Sequence, residues 1–114
     1  MAAGIGTILY PVKDLAGARE LYRRLLGAEP VMDEPYYVQF NVGGQEFGLD
    51  PQGHAKGMTG PVAYVEVDDI EATLATLTDA GAETRQPVTD VGGGRRVAQV
   101  ADADGNVVGL LQRS

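Results

Sequence analysis

Few side chains in this sequence can carry chemistry. It contains one histidine, His54, and no cysteine, which excludes disulfides, thiolate metal sites and a cysteine nucleophile. No serine stands in a triad pattern around His54, and its stretch 51–60 is rich in glycine. An exposed linker histidine is the plainer reading, and a general base near neutral pH is the alternative. Gly92-Gly93-Gly94-Arg95-Arg96 offers backbone N–H groups and guanidinium to an anion. No Gly-Lys-Ser/Thr follows it and no helix starts there, so it lacks the phosphate-loop pattern and reads first as a flexible turn. Asp102-Ala103-Asp104-Gly105-Asn106 lacks the third alternating acid and terminal Glu of a calcium loop and reads as a hairpin turn. What remains is a dispersed set: Tyr37, Gln39, Asp50, Tyr64, Glu66, Arg95 and Gln99. Such a set can bind and orient a small molecule. It can also transfer a proton, with Glu66 or Asp50 as base and Tyr64 or Arg95 stabilising developing negative charge.

The elements that position these residues follow from periodicity. Asp14 is a good N-cap, Leu15, Ala18, Tyr22 and Leu25 recur at helical spacing, and Gly27 suits the stop. A second helix follows Asp69, with Ile70, Leu74 and Leu77 as its stripe and Gly81 at its end. Val12 and Asp14 return as Val67 and Asp69, 55 residues on. Gly44, Gly48 and Leu49 return as Gly105, Gly109 and Leu110, 61 residues on. Each half therefore reads as strand, helix and three strands, at about 5–12, 30–33, 36–42 and 45–50, then about 61–67, 84–88, 95–100 and 106–112. The expectation is one α+β domain, 1–114, built of two βαβββ modules (about 1–50 and 61–114) joined by a linker at 51–60.

Alternation sorts the strand faces. Ile8, Val12, Val38, Phe40, Phe47, Leu49, Val65, Val67, Ala98, Val108 and Leu110 face the helices. Thr7, Leu9, Tyr37, Gln39, Asp50, Val62, Tyr64, Glu66, Arg95, Gln99, Gly109 and Leu111 face the other way. That mixture suits the wall of a ligand cavity, since its tyrosines and aliphatics are odd choices for open solvent. A solvated sheet face is the alternative. Tyr37 is expected inward and Tyr36 towards the core or an edge, and a purely structural role for both stays open.

The formal net charge of −7 argues against a nucleic-acid partner and against anionic membrane surfaces. No apolar run approaches the roughly 20 residues of a membrane span, and the N-terminus lacks a signal-peptide pattern. A cytoplasmic protein with a small-molecule partner and a second copy of itself is the expectation.

With these residues in place, the chain resembles the vicinal oxygen chelate superfamily (glyoxalase, bleomycin resistance protein, dioxygenase). The carriers are Tyr-Pro-Val-Lys-Asp-Leu (10–15), Leu-Tyr-Arg-Arg-Leu-Leu-Gly (21–27), Val-Asp-Asp-Ile-Glu-Ala (67–72) and Asp-Ala-Asp-Gly-Asn-Val-Val-Gly-Leu-Leu (102–111). The resemblance implies a curved half-barrel of paired modules with helices on its outer face, commonly a homodimer. In the family's metal enzymes, His or Glu on four strands holds a divalent ion. Those places fall here at Thr7, Gly48, Val62 and Gly109, none a competent ligand. A two-residue slip offers only Asp50, Glu46 or Glu66, suited at best to Mg²⁺ or Ca²⁺. The expectation is a protein with no metal and no cofactor that binds, and sequesters, an aromatic or antibiotic-like compound. A metal-free isomerase or lyase is the alternative, and the guest's charge stays open because Arg95 opposes the two acids. Glycine at 48 and 109 is expected either to widen a cavity floor or to serve close strand packing.

Overall fold

The structure, a computed structural model, describes residues 2–114. Its element order is β1 (Ala2–Pro11), α1 (Leu15–Leu26), β2 (Met32–Glu34), β3 (Tyr37–Val42), β4 (Gln45–Asp50), β5 (Val62–Val67), α2 (Ile70–Asp79), β6 (Glu83–Gly92), β7 (Arg95–Ala101) and β8 (Val107–Arg113). This is the expected α+β pair of βαβββ modules. The strands form a mixed eight-stranded sheet in the order β2-β3-β4-β1-β5-β8-β7-β6, with β1/β4 and β5/β8 parallel. The chain divides into two compact units, Thr7–Val62 and Ala63–Ser114, the latter joined by the start of β1 up to Gly6.

Both helices begin on aspartate. The Asp14 carboxylate accepts from the Gly17 N–H at 3.0 Å and Asp69 accepts from Ala72 at 3.1 Å, satisfying donors that a helix start leaves open. Gly27 closes α1 in the left-handed region at φ 64°, its N–H donating to the Arg23 carbonyl, a conformation glycine adopts without a Cβ penalty. The start of α2 is also tied to the sheet, since the Gln112 side-chain oxygen accepts from the Ile70 N–H at 2.8 Å.

The repeat in sequence is a repeat in register. In the first unit Leu9 lies opposite Gly48 and Tyr10 opposite Leu49. In the second, Tyr64 lies opposite Gly109 and Val65 opposite Leu110. Each unit then packs its helix on its own core. Val38, Phe40 and Leu49 carry the first, with Tyr10, Leu15, Ala18, Tyr22 and Phe47 against them. Val67, Ile70, Ala98 and Leu110 carry the second, with Val65, Leu74 and Leu77. Burying such a side chain stabilises by about 1.5–3 kcal/mol.

β1 starts at Ala2 instead of 5, and β6 departs most from its expected span, running to Gly92 instead of 88. Pro87 removes a ladder donor, and the strand accommodates it by sitting at the sheet edge with register shifts between Thr84 and Gln86, Gln86 and Thr89, and Asp90 and Gly92.

Two outcomes follow. In urea unfolding, Leu110→Ala should cost about 2–5 kcal/mol, against about 1 kcal/mol for Asp14→Ala, which removes only a cap. The reverse order would contradict the core assignment. On α1, hydrogen bonds from Arg23 and then Arg24 lower the Glu20 carboxyl from its ordinary 4.5 to about 2. Because the folded value is the lower one, this contribution is present above pH 4.5 and is lost as pH falls towards 2. The small difference in melting temperature between the protein and Glu20→Gln should therefore shrink over that window; a difference constant from pH 7 to 2 would contradict it.

Candidate functional site

In the second unit, three strands place one tyrosine, one glutamine and one glycine together. β5 sets Tyr64 opposite Gly109, and β7 sets Gln99 opposite the same glycine from the other side of β8. The Gln99 amide donates to the Tyr64 hydroxyl at 2.6 Å. Tyr64 and Gln99 are only 6% and 7% exposed. A Cβ at Gly109 would collide with the Tyr64 ring; the ring lies directly on the β8 backbone.

The first unit repeats the arrangement from different strands. Gln39 on β3 lies opposite Gly48 on β4. The Tyr37 hydroxyl donates to the Gln39 side-chain oxygen at 3.1 Å, and the Gln39 amide donates to Asn41 at 2.9 Å. A Cβ at Gly48 would strike Tyr37 and the Leu9 side chain. Glycine at both places thus serves close packing of an aromatic ring, and the widened floor that glycine also allowed is not formed there.

Charge is distributed around these clusters. Glu66 accepts from the Arg113 guanidinium at 3.1 Å, and the register of β7 and β8 puts Arg95 directly opposite Arg113. Gly6 runs beside this pair: a Cβ there would lie 3.0 Å from the Leu111 side chain and 3.3 Å from side-chain atoms of Arg113 and Glu66. Asp50, 5% exposed, holds the start of the linker: its oxygens accept from the Gln52 N–H and from the Lys56 ammonium, each at 2.8 Å. The Thr7 hydroxyl donates to Glu46 at 2.7 Å. No buried side-chain nitrogen or oxygen lacks a partner among the described residues. Thr7, Gln39, Asp50 and Gln99, all from the face turned away from the helices, are buried.

The structure thus joins Tyr37 with Gln39 and Tyr64 with Gln99, and puts Glu66 and Arg95 beside Arg113. Arg113 escaped the sequence analysis because it lies just past the expected end of its strand. Continuing the alternation from Gly109 and Leu111 would have found it. His54 is exposed in the linker, and Tyr36 is 62% exposed. The Gly92–Gly94 segment is a turn between β6 and β7, with the Gly92 N–H on Asp90. Asp102 caps its hairpin turn, and bonds from the Asn106 side chain and backbone lower its carboxyl.

The four places where family enzymes would carry metal ligands do not fit a divalent ion. Thr7 is a neutral oxygen already bonded to Glu46, Val62 is a buried hydrocarbon, Gly109 lies under the Tyr64 ring, and Gly48 has no side chain and is covered by the hydroxyl end of Tyr37 and by Leu9. Nowhere among the described residues do three His, Cys, Asp or Glu side chains come together as a metal site.

A sequence profile of the Glyoxalase/Bleomycin resistance protein/Dioxygenase superfamily matches residues 4–110. No functionally curated protein matches the chain in sequence. Among solved structures, an NAD-dependent benzaldehyde dehydrogenase structure from Legionella pneumophila is similar at a TM-score of 0.76 and 20% identity, covering 95% of this chain and 98% of that one. Methylmalonyl-CoA epimerase from Mycobacterium tuberculosis is similar at 0.76 and 19%, covering 99% and 89%. The Streptomyces coelicolor methylmalonyl-CoA epimerase in complex with 2-nitronate-propionyl-CoA is similar at 0.71 and 18%, covering 100% and 96%. These likenesses are of fold.

The ring-on-glycine contact has a direct test. Gly109→Ala should cost about 1–3 kcal/mol by forcing Tyr64 off the strand, and most of that cost should vanish in a Tyr64→Ala background. Equal costs in both backgrounds, in urea unfolding, would contradict the contact.

Proposed function

Because the chain belongs to the glyoxalase/bleomycin resistance protein/dioxygenase superfamily, we propose that it is a metal-independent small-molecule binding protein that sequesters a planar, aromatic or antibiotic-like compound. The observation that carries this reading is that Gly48 and Gly109 are covered by Tyr37 and Tyr64. Two family ligand positions thus serve aromatic surface instead of a metal. Tyrosine offers stacking area at low conformational cost and a hydroxyl to orient a guest. Gln39 and Gln99, bonded to the tyrosine hydroxyls, fix the orientation those hydroxyls hold. Glu66, Arg95 and Arg113 are charged groups of the same sheet face in the second unit, and Asp50 holds the start of the linker in the first.

The alternative, a metal-free isomerase or lyase, needs Glu66 or Asp50 as base. Both carboxylates are ion-paired, to Arg113 at 3.1 Å and to Lys56 at 2.8 Å, which favours binding over proton transfer. The proposal includes a homodimer. Leu21 and Leu25 on α1, with Val31, Met32 and Tyr36 around the edge strand β2, are large apolar side chains left exposed; a second copy would cover such surface.

A thermal-shift screen against planar antibiotics and phenolic metabolites tests the function. A true guest raises the melting temperature, since binding at a hundredfold excess over Kd adds about 2.7 kcal/mol. Tyr64→Ala should weaken that guest roughly tenfold or more. A screen with no stabilising compound, or a guest indifferent to Tyr64→Ala and Tyr37→Ala, would overturn the proposal. Light scattering at tens of micromolar should give twice the mass of the chain; the monomer mass would contradict the dimer.

A further inference from the structure

The repeat allows each core position of one unit to be compared with its counterpart in the other. In the first unit, Tyr10, Tyr22 and Phe47 form an aromatic plug between α1 and the sheet. Tyr10 stacks on Phe47 with centroids 4.7 Å apart and rings inclined by 17°, and Tyr22 lies 5.4 Å from Tyr10 and 5.3 Å from Phe47. The shared register carries Tyr10 to Val65 and Phe47 to Val108, and the helix offset carries Tyr22 to Leu77. All three rings are therefore replaced by aliphatic side chains in the second unit.

The volume those rings would fill is open. A cleft of about 350 Å³ lies beneath α2, and Val65, Leu77 and Val108 are among its walls, with Leu110 as counterpart of the buried Leu49. Thr73 also lines it, at the counterpart of Ala18, but its hydroxyl donates to the Asp69 carbonyl at 2.8 Å, so no unmet polar group is aimed at the opening. An apolar cavity of about 150 Å³ is already enough to stay dry and take up benzene. This cleft lies on the helix side of the sheet, apart from the Tyr64–Gln99 face, and belongs to the second unit alone.

We propose that the cleft beneath α2 is a binding site for a compact apolar ring, a benzenoid molecule or ring substituent that takes the place of the aromatic plug of the first unit. The chemistry of recognition is hydrophobic: burial of a ring against Val65, Leu77 and Val108 with no hydrogen bond required. The first unit's plug supplies the argument for the occupant, because the same fold with the same register packs rings into the corresponding space.

Toluene is the probe, followed by methyl NMR on the intact protein. Titration should give saturable shifts of the Val65, Leu77, Val108 and Leu110 methyl groups, leaving Val62, Val97 and Leu111 on the other face still. Val108→Phe, which restores one ring of the plug, should weaken toluene by at least roughly tenfold. Phe47→Val, the reciprocal change, should create a second toluene site sensed by Val38 and Leu49. If Val108→Phe fails to fold, the titration of the unaltered protein and Phe47→Val still decide. Non-saturating or scattered shifts overturn the proposal. So do cleft methyl groups that respond to dilution but not to toluene, which would mean that a second copy of the chain fills the space.

Discussion

A tyrosine ring can lie flat on a β-strand only where the strand beneath it has no side chain. That constraint governs the second unit, and a related one governs the first, where glycine at 48 leaves room for the hydroxyl end of Tyr37 and for Leu9. Gly109 lets the Tyr64 ring rest on β8 and reach Gln99, and Gly48 lets the hydroxyl end of Tyr37 come down on β4, where it bonds Gln39. Each buried hydroxyl and amide is thereby satisfied, which keeps the cost of burying polar groups low. The same two glycines stand where the family resemblance places two metal ligands, and neither offers a side-chain donor.

The two units reach this arrangement by different routes. Tyr37 comes from β3, two residues before its glutamine, whereas Tyr64 comes from β5, on the opposite side of the glycine-bearing strand from its glutamine. Leu9 holds the register position of Tyr64 in the first unit and shares the cover of Gly48. The cores have diverged too, with an aromatic plug under α1 and an aliphatic-walled cleft under α2. A duplicated fold that keeps its register can change what fills each half without changing its backbone.

Much of this was legible in the sequence. Asp14 and Asp69 marked the helix starts, the offsets of 55 and 61 marked the repeat, and alternation sorted Tyr64, Gln99 and Gly109 onto one face and Leu110 onto the other. Cross-strand reach was not legible. That Glu66 pairs with Arg113, that Lys56 folds back on Asp50, and that glycine at 109 accommodates a ring depend on which strands adjoin and on rotamers, which periodicity leaves unspecified. The extension of β6 from 88 to Gly92 was hidden for a related reason: it pairs with β7 through register shifts that break the simple alternation a strand is read from.

The central claim is that aromatic packing stands where family enzymes keep a metal. It is tested most directly by preparing the protein without a histidine tag and measuring bound Zn, Ni, Fe, Mn, Co and Mg by mass spectrometry after dialysis. The account predicts traces well below one equivalent, and a melting temperature unmoved by chelator. About one equivalent of any of these metals surviving dialysis, with a chelator-sensitive glyoxalase or dioxygenase activity, would contradict it.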